Sequence, residues 1–161
     1  MALEHLDKAS STEKALAHAL TSRFPVDHTD IDFTASESAY AEAMRPVYAE
    51  YEEDDLDVIA LSADAIMNSA PRKMFDKHTE RPIVSSPVFE VKGILEHGLA
   101  KPGVKHHRGI PHLYIHLMEM SDIPHTALDA SDLIREMIPD TGKSPTNATL
   151  LPGGPSRKSN G

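Results

Sequence analysis

Apolar residues recur at helical spacing in six separate stretches of the chain, and nowhere in the sustained alternation of a half-buried strand. The first stretch follows a capping-box pair, Ser10 and Glu13, and carries Ala15, Leu16, Ala19 and Leu20 on to about Phe24. FPVDHTDID then reads as a loop. Thr34 and Glu37 repeat the capping-box spacing, and the second helix sets Tyr40, Ala43, Met44, Val47, Tyr48 and Tyr51 on one face. Pro46 falls inside it. A proline there removes a hydrogen bond and costs roughly 3 kcal/mol in a straight helix, so a bend or break is expected.

EEDD at 52–55 joins this helix to the next, and its carboxylates suit a helix N-terminus; a metal-binding acidic cluster is the other reading. LDVIALSADAIMN is apolar on most sides and is expected to be buried, ending before Pro71. APRKMFDKHTERPIVSS reads as a longer, polar and basic connection. Ser86 and Pro87 are expected to cap and open the fourth helix, with Val88, Val91, Ile94, Leu95 and Leu99 as its apolar set. AKPGVKHHRGI is a turn, and Pro111 starts the fifth helix. SDIPH separates it from the sixth, which carries Ala127, Leu128, Ala130, Leu133, Ile134 and Met137 and stops at Pro139. The one β-branched stretch, ERPIVSSPVFEV, is interrupted by prolines. The expected fold class is therefore all-α: about six helices in antiparallel pairs with short connections, helices two and three and helices five and six being the clearest pairs.

The 161 residues suit one domain, expected over 1–142. Residues 143–161, KSPTNATLLPGGPSRKSNG, have no helical period, no acid and no aromatic, and are expected to be a disordered tail. All 25 acids precede Lys143; against 13 Lys or Arg they give residues 1–142 a formal charge of −12, while the tail carries +3. An acidic body argues against nonspecific nucleic-acid or membrane-surface partners. No apolar run approaches the roughly 18 residues of a spanning helix. MALEHLDKASSTEKALAHAL lacks the apolar core of an export signal, so a cytoplasmic protein is expected and the sequon at Asn147 is discounted. Cysteine is absent, which excludes thiolate metal sites, thiol catalysis and disulfides.

The chemistry concentrates in HHRGIPHLYIHLMEM, residues 106–120, which holds four of the ten histidines. On a helix at about 100° per residue, His116 lies about 40° from His112 and Glu119 about 20° to its other side. The three share one narrow stripe on a helix otherwise filled by Leu113, Tyr114, Ile115, Leu117, Met118 and Met120. Such a helix is expected to be buried, its stripe partly buried with it, and buried polar groups need partners. Two readings stand. One is a divalent transition-metal site, since histidines at i and i+4 can reach one ion, with Glu119 as ligand, orienter or base and His107 or His106 completing the set. The other is a hydrogen-bonded polar cluster tying the helix to its neighbours.

Elsewhere the signals are weaker. Ser85 and Ser86 form no nucleophile elbow, and LPGGPS opens no helix as a phosphate loop would. His18, His97 and His125 are expected at the surface or as caps, and His5, His28 and His78 in solvent.

The sixth helix, with Ala127, Ala130 and a terminal proline, looks like the second helix of a tetratricopeptide repeat, although the Trp-Leu-Gly-Tyr pattern of a first helix is missing and the period is irregular. HHRGIPHLYIHLMEMSDIPHTALDASDLIREMIPDTG resembles a family of tetratricopeptide-like domain proteins of bacteria and fungi whose usual pattern is H-P-G-x-x-H-Y-Y-I-H-x-x-E-x-S. His107, Gly109, His112, Tyr114, Ile115, His116, Glu119 and Ser121 match it, and STEKALAHALTSRFP and AYAEAMRPVYAEYEEDDLDVIALSADAIMN extend the likeness over roughly residues 3–142. Arg108 stands where that family has Pro, and Pro46 replaces a helix former. The family's second histidine cluster and further helices give way here to KSPTNATLLPGG, so the chain is expected to be a truncated member, with the shift at Lys143 favouring a fragment.

The resemblance implies a soluble tetratricopeptide-like scaffold or interaction module, binding a protein or peptide or a second copy through exposed helix faces. The competing expectation is a metal-dependent enzyme or accessory protein, with His107, His112, His116 and Glu119 around one divalent transition-metal ion.

Overall fold

The computed structural model describes residues 6–24, 32–53 and 55–137. Within them the chain is all-α. Six helices follow in order: α1 (Ser11–Leu20), α2 (Phe33–Tyr51), α3 (Leu56–Ser69), α4 (Val88–Leu99), α5 (Gly109–Met118) and α6 (Leu128–Met137), with 3-10 turns at Val104–His106 and Pro124–Ala127. No strand forms among the described residues; Phe75 and Pro82 make one isolated antiparallel bridge. The expected tail over 143–161, the end of the sixth helix at Pro139 and the sequon at Asn147 lie outside the described residues, as do His5, His28 and Asp54.

Local chemistry sets most helix starts. The capping box at Ser10 and Glu13 is complete, with each side chain bonded to the other's backbone N–H. At α2 the expected box at Thr34 and Glu37 does not form. Asp32 caps instead, its carboxylate accepting from the N–H of Thr34 at 3.0 Å and of Ala35 at 3.1 Å, so Thr34 lies inside the helix. A carboxylate at the positive end of the helix dipole accepts two orphan donors at once. Nor does Pro46 break α2, which runs through it for 19 residues. The EEDD segment acts as a cap: Asp55 accepts from the N–H of Asp57 and Val58 at the start of α3. Ser86 is not the cap of α4 as expected. Its hydroxyl donates backwards to the carbonyls of Ile83 and Met74 and accepts only a long bond, 3.4 Å, from Val88 N–H, while Pro87 holds the cap position.

Packing is organised around α3. One side of it, Val58 and Ala65, joins Ala19 of α1 and Tyr40, Met44 and Val47 of α2 in a first apolar cluster. The other side, Ile59, Ala63 and Ile66, joins Ala41 and the buried faces of α4, α5 and α6 in a second. A helix with two buried faces must be apolar on most sides, which is why α3 reads that way in sequence. Gly98 of α4 makes the junction possible: a Cβ there would stand 2.8 Å from Ile59 Cγ2 and 3.0 Å from Ile110 Cδ1. Outside the core, Arg45 of α2 clamps Glu90 of α4 through Nε at 2.6 Å and Nη2 at 3.0 Å.

The connection at 70–87 is more than the polar linker expected. Met74 and Phe75 are buried in the second cluster. Asp76 turns the chain back by accepting from the N–H of Thr79 and His78 and from the Thr79 hydroxyl, and these donors hold its carboxyl below the ordinary value. The carbonyl of Glu80 then accepts from Asp122 N–H, tying the loop to the far end of α5.

Candidate functional site

The histidine segment is built on α5. Ile110, Pro111, Tyr114, Leu117 and Met118 are its buried residues, and they occupy one arc of the helix. His112, His116 and Glu119 lie on the opposite arc and are exposed. The expected burial of the stripe is thus corrected. Its apolar neighbours Leu113 and Ile115 are flanks at the edge of the core, so the narrow polar stripe is the whole water-facing side of an amphipathic helix.

The stripe side chains engage one another. His116 Nδ1 lies 3.0 Å from Glu119 Oε1, and its Nε2 lies 3.1 Å from His112 Nε2. The two rings are perpendicular, at 88°, with centroids 4.4 Å apart. The carboxylate accepts only, so His116 carries its proton on Nδ1; His112 Nε2–H then donates to the lone pair on His116 Nε2. Among the described residues these three side chains bond to no other group of the fold.

His107 is placed apart from them. Its Nδ1 accepts from Ile110 N–H at 3.3 Å and its Nε2–H donates to Asp57 Oδ1 at 3.0 Å. It therefore does for α5 what an N-cap side chain does elsewhere, since Arg108 at the cap position makes no such bond. Both ring nitrogens are committed, and the imidazole is largely buried, 16% exposed. Gly109 leaves it room: a Cβ there would come within 3.1 Å of His107 Cε1. Among the described residues no group of three His, Asp or Glu side chains is arranged to hold a metal ion.

Other residues of the segment serve the fold. Tyr114 donates its hydroxyl to Glu96 Oε1 of α4 at 3.2 Å, and burial raises its phenol above the ordinary value. Ser121 is buried, donates to the Met118 carbonyl at 2.7 Å and accepts from Ile123 N–H at 3.2 Å, closing the end of α5. His97, expected at the surface or as a cap, is half-buried; its ring meets Tyr48 edge-on at 6.5 Å, and its buried Nε2 has no partner among the described residues.

Beside His107 an open groove of about 780 Å³ runs between α1, α3 and the start of α5. Leu16, Ala60 and Leu61 supply its apolar lining, and Asp57, His106 and Arg108 its polar edge. Neither Asp57 as the partner of His107 nor this groove is legible in the sequence, because both depend on residues about 50 positions apart meeting.

No helix of the described residues is long and apolar enough to cross a membrane. Comparison with known proteins returns no match: no family model, curated protein or solved structure aligns with the chain.

Proposed function

We propose that this chain is a tetratricopeptide-like helical scaffold that holds a protein or peptide segment in the groove between α1, α3 and the start of α5. The supporting observation is the groove itself, where Leu61 is 40% exposed between Leu16 and Ala60. Leucines beside a charged rim suit a short segment presenting an apolar side chain next to an acidic one. His106 and Arg108 are exposed at the groove's edge, a basic pair on a chain of net charge −9, and they favour the acidic partner. Helical-repeat surfaces recognise partners along concave faces of this kind. The reading rests on the sequence resemblance for its class and on the groove for its site.

The competing reading, a metal-dependent enzyme or accessory protein, needs His107, His112, His116 and Glu119 around one ion. It is the less supported, because His107 spends both nitrogens on Asp57 and the α5 backbone.

The test is crosslinking in cell extract with wild type and with Leu61→Asp, which changes an exposed groove residue. A defined partner captured by wild type and lost in a Leu61→Asp protein of unchanged helix content supports the scaffold. The same proteins captured by both, or none above background by wild type, overturns it.

A further inference from the structure

We propose that His112 and His116 form a two-nitrogen chelate for a divalent transition-metal ion, Cu(II) above all, on the open side of α5, with Glu119 as the residue that positions His116. The inference is independent of the groove reading and uses none of its residues.

Four observations carry it. The two Nε2 atoms stand 3.1 Å apart. Metal–imidazole bonds of about 2.0–2.1 Å at the roughly 90° cis angle that tetragonal Cu(II) prefers place two ligand nitrogens about 2.9 Å apart. The change needed is a few tenths of an ångström plus a turn of the rings. Second, His116 donates Nδ1–H to Glu119, which fixes the tautomer whose Nε2 is free to ligate; carboxylates orient and strengthen metal-bound histidines in this way. Third, the stripe faces water, with His116 50% and Glu119 57% exposed, so the ion has access and its other positions are filled by water. Fourth, among the described residues these side chains bond to nothing but one another, so no contact with the rest of the fold has to break for them to ligate.

Binding balances without net proton release. His112 moves its proton from Nε2 to Nδ1 through solvent, both Nε2 lone pairs turn to the ion, and the His116–Glu119 bond persists. Imidazole ligands and the general affinity order favour Cu(II) over Ni(II) and Zn(II), and leave Mg(II) and Ca(II) unbound. Open coordination of this type makes an exchangeable site, distinct from a closed structural one.

The test titrates tag-free full-length protein with Cu(II) and records electron paramagnetic resonance spectra. Wild type is expected to show a saturating species with two equivalent imidazole nitrogens. His112→Gln and His116→Gln should each reduce this to one nitrogen with at least tenfold weaker binding, and Glu119→Gln should keep both nitrogens but weaken binding by about tenfold. Glu119→Asp should restore part of that loss. All three positions are exposed, so helix content serves as the folding control. An unchanged spectrum and affinity in the His112→Gln, His116→Gln double variant would overturn the proposal, because the other eight histidines would then account for the copper.

Discussion

His107 Nδ1 accepts from the backbone N–H of Ile110 while its Nε2–H donates to Asp57 on α3. One imidazole thus caps α5 and sets the helix against its neighbour, with His112 and His116 carried round to the far side. The histidines of a single motif divide into one that the fold uses and two that it does not.

That division predicts unequal costs. His107→Ala removes the cap and should destabilise by about 1 kcal/mol, the usual worth of a capping side chain. Asp57→Ala should cost clearly less, since Asp57 is 80% exposed and water replaces the bond. Urea unfolding of the two variants measures the difference.

Gly93 and Gly98 lie on one helix and should respond oppositely. Among the described residues nothing stands within 4 Å of a Cβ at Gly93, so Gly93→Ala should stabilise by about 1 kcal/mol through helix propensity alone. Gly98→Val drives methyl groups into Ile59 and Ile110 and should destabilise by about 1–3 kcal/mol. Thermal melts of both variants check the pair.

Phe75 sits in a connection rather than a helix, yet is only 7% exposed. Phe75→Ala should therefore cost about 3 kcal/mol or more, as for a core aromatic. A loss under about 1 kcal/mol in chemical denaturation would show that this segment does not contribute to the core.

Asp76 gives the loop a pH dependence. Its carboxyl is held below its ordinary value by Thr79 and His78 N–H groups and the Thr79 hydroxyl. A group depressed on folding contributes stability above its unfolded value and loses that contribution as pH falls through the folded one. Asp76→Ala should accordingly melt lower than wild type at neutral pH, with the gap closing below about pH 4.

Helix existence was legible because each helix keeps a 3.6-residue apolar repeat, most plainly α3, whose two buried faces leave few polar positions. The site was legible in part. Spacing alone puts His112, His116 and Glu119 on one stripe. Which way the stripe faces was misjudged, because Leu113 and Ile115 count as apolar in sequence but only flank the core in space. The cap of α2 was missed for a similar reason: a capping-box pattern at Thr34 competed with Asp32, and only the backbone geometry shows which accepts the free N–H groups. Met74 and Phe75 were hidden by the charges around them, since a turn at Asp76 folds the segment back onto the core.

The central claim is that structure and metal chemistry are assigned to different histidines of one motif. Melting temperature with and without Cu(II), measured for wild type, His107→Ala and the His112→Gln, His116→Gln double variant, tests it most directly, because a ligand that prefers the native state raises its stability by an amount that grows with the logarithm of ligand concentration over Kd. The account predicts that His107→Ala melts lower but keeps the copper-induced rise, while the double variant melts like wild type and loses it. Loss of the rise in His107→Ala, or its survival in the double variant, would contradict it.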